Sequence, residues 1–276
     1  MNIFLTGGTG FIGGHYLSRV ASTGHRVTAL RRTASASELS TESRIVWLTK
    51  AMDEVSVADL AGHDVLIHLA SAGVSPQKAT VQELFYWNVS VMVGLLDKAN
   101  QANIKRVVVA GSFAEYGRSF DNYDFIPVDA PLKPASLYAA SKAAAYVAAT
   151  AFAIESNIEL CYLRIFSAFG EGQYEGNFWP ALRAAAVSGS DFPMTAGEQV
   201  RDYFPVENVA EAIERSAERS DIRPGEPLVL NVGSGVPVSM LEFAKYWWDK
   251  WEAKGRLLVG ALPYRENEVM RCVPKI

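Results

Sequence analysis

The sequence predicts a doubly wound α/β fold: a parallel sheet covered by helices, with a smaller C-terminal part packed against it. Three observations carry that prediction. Short apolar runs alternate with helix-length segments through the first 165 residues, a glycine-rich turn joins the first run to the first helical pattern, and after about residue 167 Gly, Pro and aromatic residues cluster instead. Strands that are apolar on both faces and separated by helices belong to parallel sheets buried on both sides. That is the doubly wound arrangement.

The elements follow in order. "NIFLT" (2–6) is the first strand and "FIGGHYLSRVAST" the first helix. Strands are expected at "RVTAL" (26–30), "RIVWL" (44–48) and "DVLIHLA" (64–70). A long helix is expected from Glu83 to Asn100, followed by the strand "RVVVAGS" (106–112). An Ala-rich helix containing "LYAASKAAAY" begins at Leu137 and leads to the strand "ELCYLRIF" (159–166). Beyond "SAFGEGQYEGNFWP", the strand candidates "YFPV" (203–206) and "LVLNV" (228–232) are separated by one helix, and no Gly/Ser-rich linker divides the chain.

Composition narrows the function classes. The 276 residues are 49% hydrophobic and 20% charged, ordinary for a globular protein. The core should need no staples. A net charge of -4 argues against a phosphate-tracking surface, so nucleic acid is not an expected partner. Cys161 and Cys272 are too few and too scattered for a disulfide framework, which fits a reducing compartment. "MNIFLTGG" has no basic n-region or cleavage pattern. The apolar stretch Ala143 to Ile154 is too short to span a bilayer. A cytoplasmic protein without a membrane partner is expected, and the mixed-charge run "EAIERSAERSDIR" reads as a solvated helix face.

The glycine turn points to a dinucleotide. Gly7, Gly10 and Gly13 fit G-x-x-G-x-x-G, while Gly8, Gly10 and Gly13 fit G-x-G-x-x-G. Such glycines allow a tight turn, close backbone approach to a pyrophosphate and close helix–strand packing. The helix N-terminus, here Phe11 and Ile12, turns free N–H groups and a positive dipole end toward the phosphates. The fold is therefore expected to be Rossmann-type. A dinucleotide-binding domain should cover 1–166, and 167–276 should be mainly substrate-binding, with some strands returning to the sheet. At the end of the second strand, Arg31 and Arg32 stand where a carboxylate would accept bonds from an adenosine 2′-hydroxyl. A guanidinium suits a 2′-phosphate. NADP is thus favoured, with Arg31 as main contact, and NAD remains possible.

Ser112 ends a central strand, where open α/β sheets bind ligands. A Ser there can also be simply a helix cap. Tyr138 and Lys142 stand four residues apart and share one face of the Ala-rich helix.

At this point the sequence resembles the extended short-chain dehydrogenase/reductase family, in its nucleotide-sugar epimerase/dehydratase branch. The matching pieces are "GGTGFIG", "HLA" (68–70), "NVS" from Asn88, "GSFAEYG", "YAASK", "LRIFSAFGEGQ", "RDYFPVENVA" and "NVGSG", in family order across nearly the whole chain. The resemblance implies that Tyr138 exchanges a proton with the substrate carbonyl or hydroxyl. Lys142 and an oxidised nicotinamide would lower its pKa, and Lys142 would also bind the nicotinamide ribose. Ser112 would orient the same substrate oxygen. Leu69, Ala70 and Asn88, together with Tyr138 and Lys142, would lie on the cofactor side.

The C-terminal part looks like a nucleotide-sugar pocket. "GNFWP" resembles the segment whose Asn and following backbone contact a diphosphate, here Asn177 and Phe178. Arg201 and Arg265 could clamp that diphosphate with forked bonds, although Asp202 or Glu207 could instead be partners of Arg201. Trp179, Phe178 and Tyr203 read as core or pocket wall.

Departures from the family pattern refine the reading. Related dehydratases carry acids immediately after the catalytic Ser/Thr, but here Phe113 and Ala114 follow Ser112 and Glu115 comes one place late. Ser167 and Glu171 replace the usual Asn and Pro, and family members commonly continue beyond "NEVMRCVPKI" for one or two helices. The expected enzyme is an NADPH-dependent reductase of a nucleoside-diphosphate 4-keto-6-deoxyhexose. A 4-epimerase with bound NAD is the alternative, and a non-catalytic NADP-binding sensor is a third reading. The small residues of "AASKAAAYVAATAFA" and the family's paired helices predict a homodimer.

Overall fold

The computed structural model describes residues 1–33, 44–74, 78–266 and 268–276. Strands β1 (Asn2–Thr6), β2 (Arg26–Arg31), β3 (Ile45–Thr49), β4 (Val65–His68), β5 (Arg106–Ser112) and β6 (Glu159–Ile165) lie where the apolar runs predict them, within a few residues. Between them run helices α1 (Phe11–Val20), α2 (Val57–Leu60), α3 (Val81–Phe85), α4 (Met92–Gln101) and α5 (Leu137–Ser156). The C-terminal part adds β7 (Ser167–Phe169), α6 (Phe178–Ser188), β8 (Phe192–Met194), β9 (Val200–Arg201), β10 (Tyr203–Pro205), α7 (Val206–Glu218), β11 (Leu228–Val232), β12 (Val238–Ser239), α8 (Met240–Lys250), β13 (Leu257–Val259) and β14 (Arg271–Cys272).

The main sheet has seven strands in the order β11-β6-β5-β4-β1-β2-β3. Every pairing in it is parallel. "LVLNV" returns to this sheet as an edge strand beside β6, whereas "YFPV" pairs with β7 outside it.

Strand alternation splits the core into two layers. Ile3, Leu5, Val65, Ile67, Val108, Cys161 and Leu163 pack with Leu17, Val20, Val209 and Ile213 on the α1/α7 side. Their neighbours Phe4, Leu66, Val107, Val109, Leu160 and Tyr162 pack with Met92, Leu95, Ala145, Ala149 and Ala153 on the α4/α5 side. The C-terminal part has its own aromatic core. Tyr203 stacks on Phe243 at 3.8 Å, and Trp179 meets Trp247 at 5.5 Å and Trp251 at 5.6 Å.

Two helices differ from expectation. The helix expected from Glu83 to Asn100 starts earlier, at a Thr80–Glu83 capping box. It is also interrupted by a π-helical turn over Tyr86–Val91. In α5, Ala145, Ala149 and Ala153 recur every fourth residue and face the sheet rather than an outside partner. The large apolar side chains that α5 exposes are Leu137, Val147 and Ile154. At 20 residues α5 is longer than its uncharged stretch, and by length and composition alone it could cross a membrane. Here it packs on β5, β6 and α4.

Candidate active site

The glycine turn is a steric construction. Gly7 has φ +77°, and a Cβ there would stand 2.6 Å from the Ala70 nitrogen and 2.7 Å from the Leu69 carbonyl carbon. A Cβ on Gly13 would overlap the Gly7 carbonyl oxygen. The backbone of Leu69–Ala70 is stitched against β1: Leu69 N–H donates to the Thr6 carbonyl at 3.2 Å and Ala70 N–H to Thr6 Oγ1 at 3.4 Å. Gly10 caps α1 with no side chain in the way, and no acidic residue occupies the first turn. A Cβ on Gly8 would make only tight side-chain contacts, at 3.2 Å or more. A Cβ would clash with backbone at Gly7 and Gly13, while at Gly10 it would only approach the Gly7 carbonyl oxygen, at 3.3 Å. This open helix end, with Phe11 and Ile12 in its first turn, fits a dinucleotide pyrophosphate.

Arg31 ends β2. Its Nε donates to Thr49 Oγ1 at 3.0 Å, and its guanidinium lies 5.4 Å from the Trp47 ring centre. Arg32 is exposed beside it.

Ser112, Tyr138 and Lys142 converge at the carboxyl end of β5. Ser136 caps α5 by accepting from Ala139 N–H at 3.2 Å. That cap fixes Tyr138 in the first turn and Lys142 one turn later. Burial pushes the Tyr138 phenol up, while hydrogen bonding from Ser112 and Ser71 pulls it down. Ser112 also accepts from Ala114 N–H at 3.2 Å, so it is both a cap and a neighbour of the phenol. Lys142 is 4% exposed. Its Nζ donates to the Ala110 carbonyl at 2.7 Å, and burial pushes the ammonium down, with Glu115 pulling it up. The chain by itself therefore raises the Tyr138 pKa.

Asn88 is buried and faces inward from the π-helical turn, a distortion that often marks functional positions. Its Oδ1 accepts from Ala72 N–H at 2.7 Å and Ser71 Oγ at 3.2 Å. Its Nδ2 donates to the Ala72 carbonyl at 3.2 Å and Ser141 Oγ at 3.0 Å. The side chain thus ties the loop after β4 to α5, next to Lys142. His68 is also buried here. It shares a 2.9 Å bond with Thr6 Oγ1, and burial, with Lys142 nearby, pushes it down to about 3. It is neutral near pH 7.

The C-terminal residues are arranged less simply. Asn177 caps α6 through its backbone and leaves its side chain out of the cap. The Phe178 ring belongs to the aromatic core, 5.9 Å from Phe192. Arg201 pairs with neither Asp202 nor Glu207. Its guanidinium meets Glu268 at 2.8 Å. Asp202 instead accepts from Ser234 and Gly235 N–H at 2.8 Å and 2.6 Å. Arg265 is exposed, in a turn closed by Glu268 N–H donating to its carbonyl at 3.2 Å.

Sequence reading passed over Ser71 and Glu268 and left the role of Glu115 open. Glu115 is fully buried against Arg164, with 2.8 Å between Nε and Oε2. The Ser112-x-x-Glu115 capping-box spacing signals its inward turn. Nothing local signals Arg164 as its partner.

Known proteins extend this picture. The model of the NAD dependent epimerase/dehydratase family matches residues 3–233. A UDP-glucose 4-epimerase from Corynebacterium glutamicum is 25% identical over 259 residues, covering 85% of this chain and 76% of the relative. A dTDP-6-deoxy-L-talose 4-dehydrogenase (NAD(+)) from Aggregatibacter actinomycetemcomitans is 27% identical over 248 residues, covering 87% of each chain. The solved structure of MoeE5 in complex with UDP-glucuronic acid and NAD is similar with a TM-score of 0.85 and 26% identity, covering 100% of this chain and 90% of that one. The family match takes in the glycine cradle, the three converging side chains and the whole parallel sheet, so the chain belongs to the NAD dependent epimerase/dehydratase family.

Proposed function

We propose that this enzyme reduces a nucleotide-activated keto-sugar with NADPH, a nucleoside-diphosphate 4-keto-6-deoxyhexose being the substrate class, as in deoxysugar biosynthesis. One observation carries the choice of reaction. The site gathers Ser112, Tyr138 and Lys142, while the nearest acid along the chain, Glu115, is fully buried in a pair with Arg164. It has no path to a sugar carbon, so the arrangement favours carbonyl chemistry over dehydration.

The glycine cradle fits the dinucleotide. Gly7, Gly10, Phe11, Ile12 and Gly13 would hold its pyrophosphate, with Leu69 and Ala70 against the turn and Lys142 near the nicotinamide ribose. When bound, the nicotinamide supplies the hydride. Tyr138 donates a proton to the substrate oxygen, and Ser112 hydrogen-bonds that oxygen and aims it. A positioned general acid of this kind contributes about 10²- to 10⁴-fold. Asn177, the Phe178 backbone, Arg201 and Arg265 would bind the diphosphate. Arg31 and Arg32 support NADP, whereas the NAD named with the MoeE5 structure supports NAD.

NADPH consumption by the purified protein with several 4-keto-6-deoxy sugar nucleotides tests the reading. No consumption with any of them, despite dinucleotide binding, overturns it. A second reading, a 4-epimerase with resident NAD, is favoured by the Corynebacterium glutamicum relative. Stoichiometric NAD(H) in the purified protein would support it. If Tyr138→Phe leaves every measurable function intact, a dinucleotide sensor replaces both.

The same reading includes a cytoplasmic homodimer. Buried free thiols at Cys161 and Cys272 suit a reducing compartment. The exposed Val147 and Ile154 of α5, with Phe85 and Tyr86 near α4, offer an apolar face to a second copy. A monomeric mass by light scattering would refute the dimer.

A further inference from the structure

Glu115 lies behind the reacting groups, and the proposed reaction assigns it no proton. Two other chain segments meet its carboxylate. The Ser112 backbone N–H donates to Oε1 at 2.8 Å. From β6, the Tyr162 hydroxyl donates to the same oxygen at 2.8 Å and Arg164 Nε to Oε2 at 2.8 Å. The Tyr162 hydroxyl also lies 3.3 Å from the Lys142 carbonyl oxygen, so it links Glu115 to α5. Arg164 is itself fixed by the Val128 carbonyl at 2.7 Å and the Tyr116 hydroxyl at 3.0 Å. Its guanidinium lies 4.7 Å from the Tyr116 ring centre and 4.4 Å from that of Tyr146. Gly111 leaves room for this convergence. A Cβ there would overlap the Tyr162 ring and stand 2.8 Å from Glu115 Oε1.

A buried ion pair is weak evidence for stability, because apolar residues of similar volume often serve as well. The location of this pair calls for another role. The Lys142 ammonium is buried, and its hydrogen bond goes to a neutral carbonyl. The charged and titratable groups facing Glu115 are Lys142 and Tyr138 from α5, Arg164 and Tyr162 from β6, and Tyr116 beside it. The Lys142 ammonium is held on the Ala110 carbonyl and the Glu115 carboxylate on the Ser112 N–H, with only Gly111 between those two residues, so the two charges lie at the same strand end, with the neutral His68 also facing Lys142.

We infer that Glu115 is a positioning residue: locked by Arg164, its carboxylate fixes the turn carrying Ser112 and supplies the countercharge for the buried Lys142 ammonium. The inference rests on the assignment of Ser112, Tyr138 and Lys142 to the reaction. The sign of its effect follows from electrostatics. In Glu115→Gln the Lys142 ammonium loses its countercharge and gives up its proton at lower pH. The Tyr138 phenolate loses a repelling neighbour, so the phenol also ionises at lower pH. Reduction needs both groups protonated, so the alkaline limb of kcat moves to lower pH.

The test follows the lysine 13Cε signals of 13C-lysine-labelled protein through a pH titration, with Lys142 assigned by its loss in Lys142→Met. In Glu115→Gln, Lys142 should titrate about one pH unit or more below wild type. Glu115→Asp keeps the charge but sets it back, and should fall between the two. The alkaline limb of kcat should move the same way in both variants, with KM for the nucleotide sugar within about twofold. A folded Glu115→Gln in which Lys142 titrates as in wild type overturns the inference. If that variant does not fold, Glu115→Asp decides: a lower titration supports the countercharge role and an unchanged one overturns it. The NMR reading needs no turnover, so a failure of the proposed activity stays separate.

Discussion

In the glycine turn, Gly7 and Gly13 abut backbone, and the atoms they would strike belong to residues 69, 70, 7 and 8. Across the C-terminal part, Arg201 is held by a side chain, Glu268, and Arg265 is exposed. The first region is shaped by main chain that cannot move without unpacking β1 and β4. The second is shaped by side chains that can exchange partners. Substitution on that side leaves the cradle undisturbed, and sites that vary on a constant frame are how one fold serves many functions. Ser112, Tyr138 and Lys142, the groups proposed to act on the substrate, lie between these regions, on the end of β5 and the start of α5.

The strongest test of this division is Tyr138→Phe. It removes one hydroxyl and no backbone contact. Turnover should fall by about 10³-fold, within the usual range for a general acid. The dinucleotide Kd, read by fluorescence quenching, should stay within about threefold, since the pyrophosphate cradle is main chain and the loss is a single hydroxyl. A dinucleotide affinity that falls along with turnover would show that the cradle and the trio are not separable. Gly13→Ala should do the reverse. A Cβ forced against the Gly7 carbonyl carries about 1–3 kcal/mol of overpacking strain. Much of that strain should appear as dinucleotide binding weakened by about 10- to 100-fold. Calorimetry with the dinucleotide checks it, with circular dichroism as the folding control.

The same contrast explains what the sequence makes legible. The six strands β1–β6 are readable because both faces of each are apolar, and alternation alone sends Ile3 and Phe4 to opposite layers. The cradle is readable because close backbone approach at Gly7 and Gly13 leaves no room for a side chain. Of the short strands only β10, inside "YFPV", is readable; β7 to β9 and β12 to β14 are not, since each has two or three residues and exists only through its pairing. The π-helical turn that aims Asn88 has no compositional mark. Arg201 and Glu268 are 67 residues apart, and Arg164 lies 49 from Glu115. Neither separation leaves a local pattern. The alanines of α5 suit either a sheet or a second subunit, and only the helix phase against β5 and β6 selects the sheet.

On the side-chain half of the comparison, Arg201→Met should raise KM for the nucleotide sugar by about tenfold or more, the worth of a charged hydrogen bond, with kcat changed far less. If Arg201 serves only its pair with Glu268, KM stays level and thermal stability falls instead. Arg31 offers a smaller effect. Arg31→Asp should shift the NADPH-to-NADH preference toward NADH by about tenfold, because a carboxylate repels a 2′-phosphate and accepts from a 2′-hydroxyl. An unchanged ratio of kcat/KM for the two cofactors would remove Arg31 from the ribose site.

The smallest expected effect is the sharpest test of the steric argument, because it comes from the very next residue in the helix. Gly14 sits inside α1 beside Gly13, yet a Cβ there would meet nothing within 4 Å. Gly in a helix interior is less favourable than Ala by about 0.5–1 kcal/mol. Gly14→Ala should therefore stabilise the protein, raising Tm by about 1–4 °C for a chain of this size, and leave dinucleotide binding unchanged. Gly13→Ala adds the same methyl group to the same helix and should weaken binding. The helix-propensity gain is common to both changes, so the opposite signs isolate the contact with the Gly7 carbonyl. If both variants lose binding equally, the turn depends on glycine flexibility throughout rather than on close approach at Gly7 and Gly13, and the backbone half of the comparison fails.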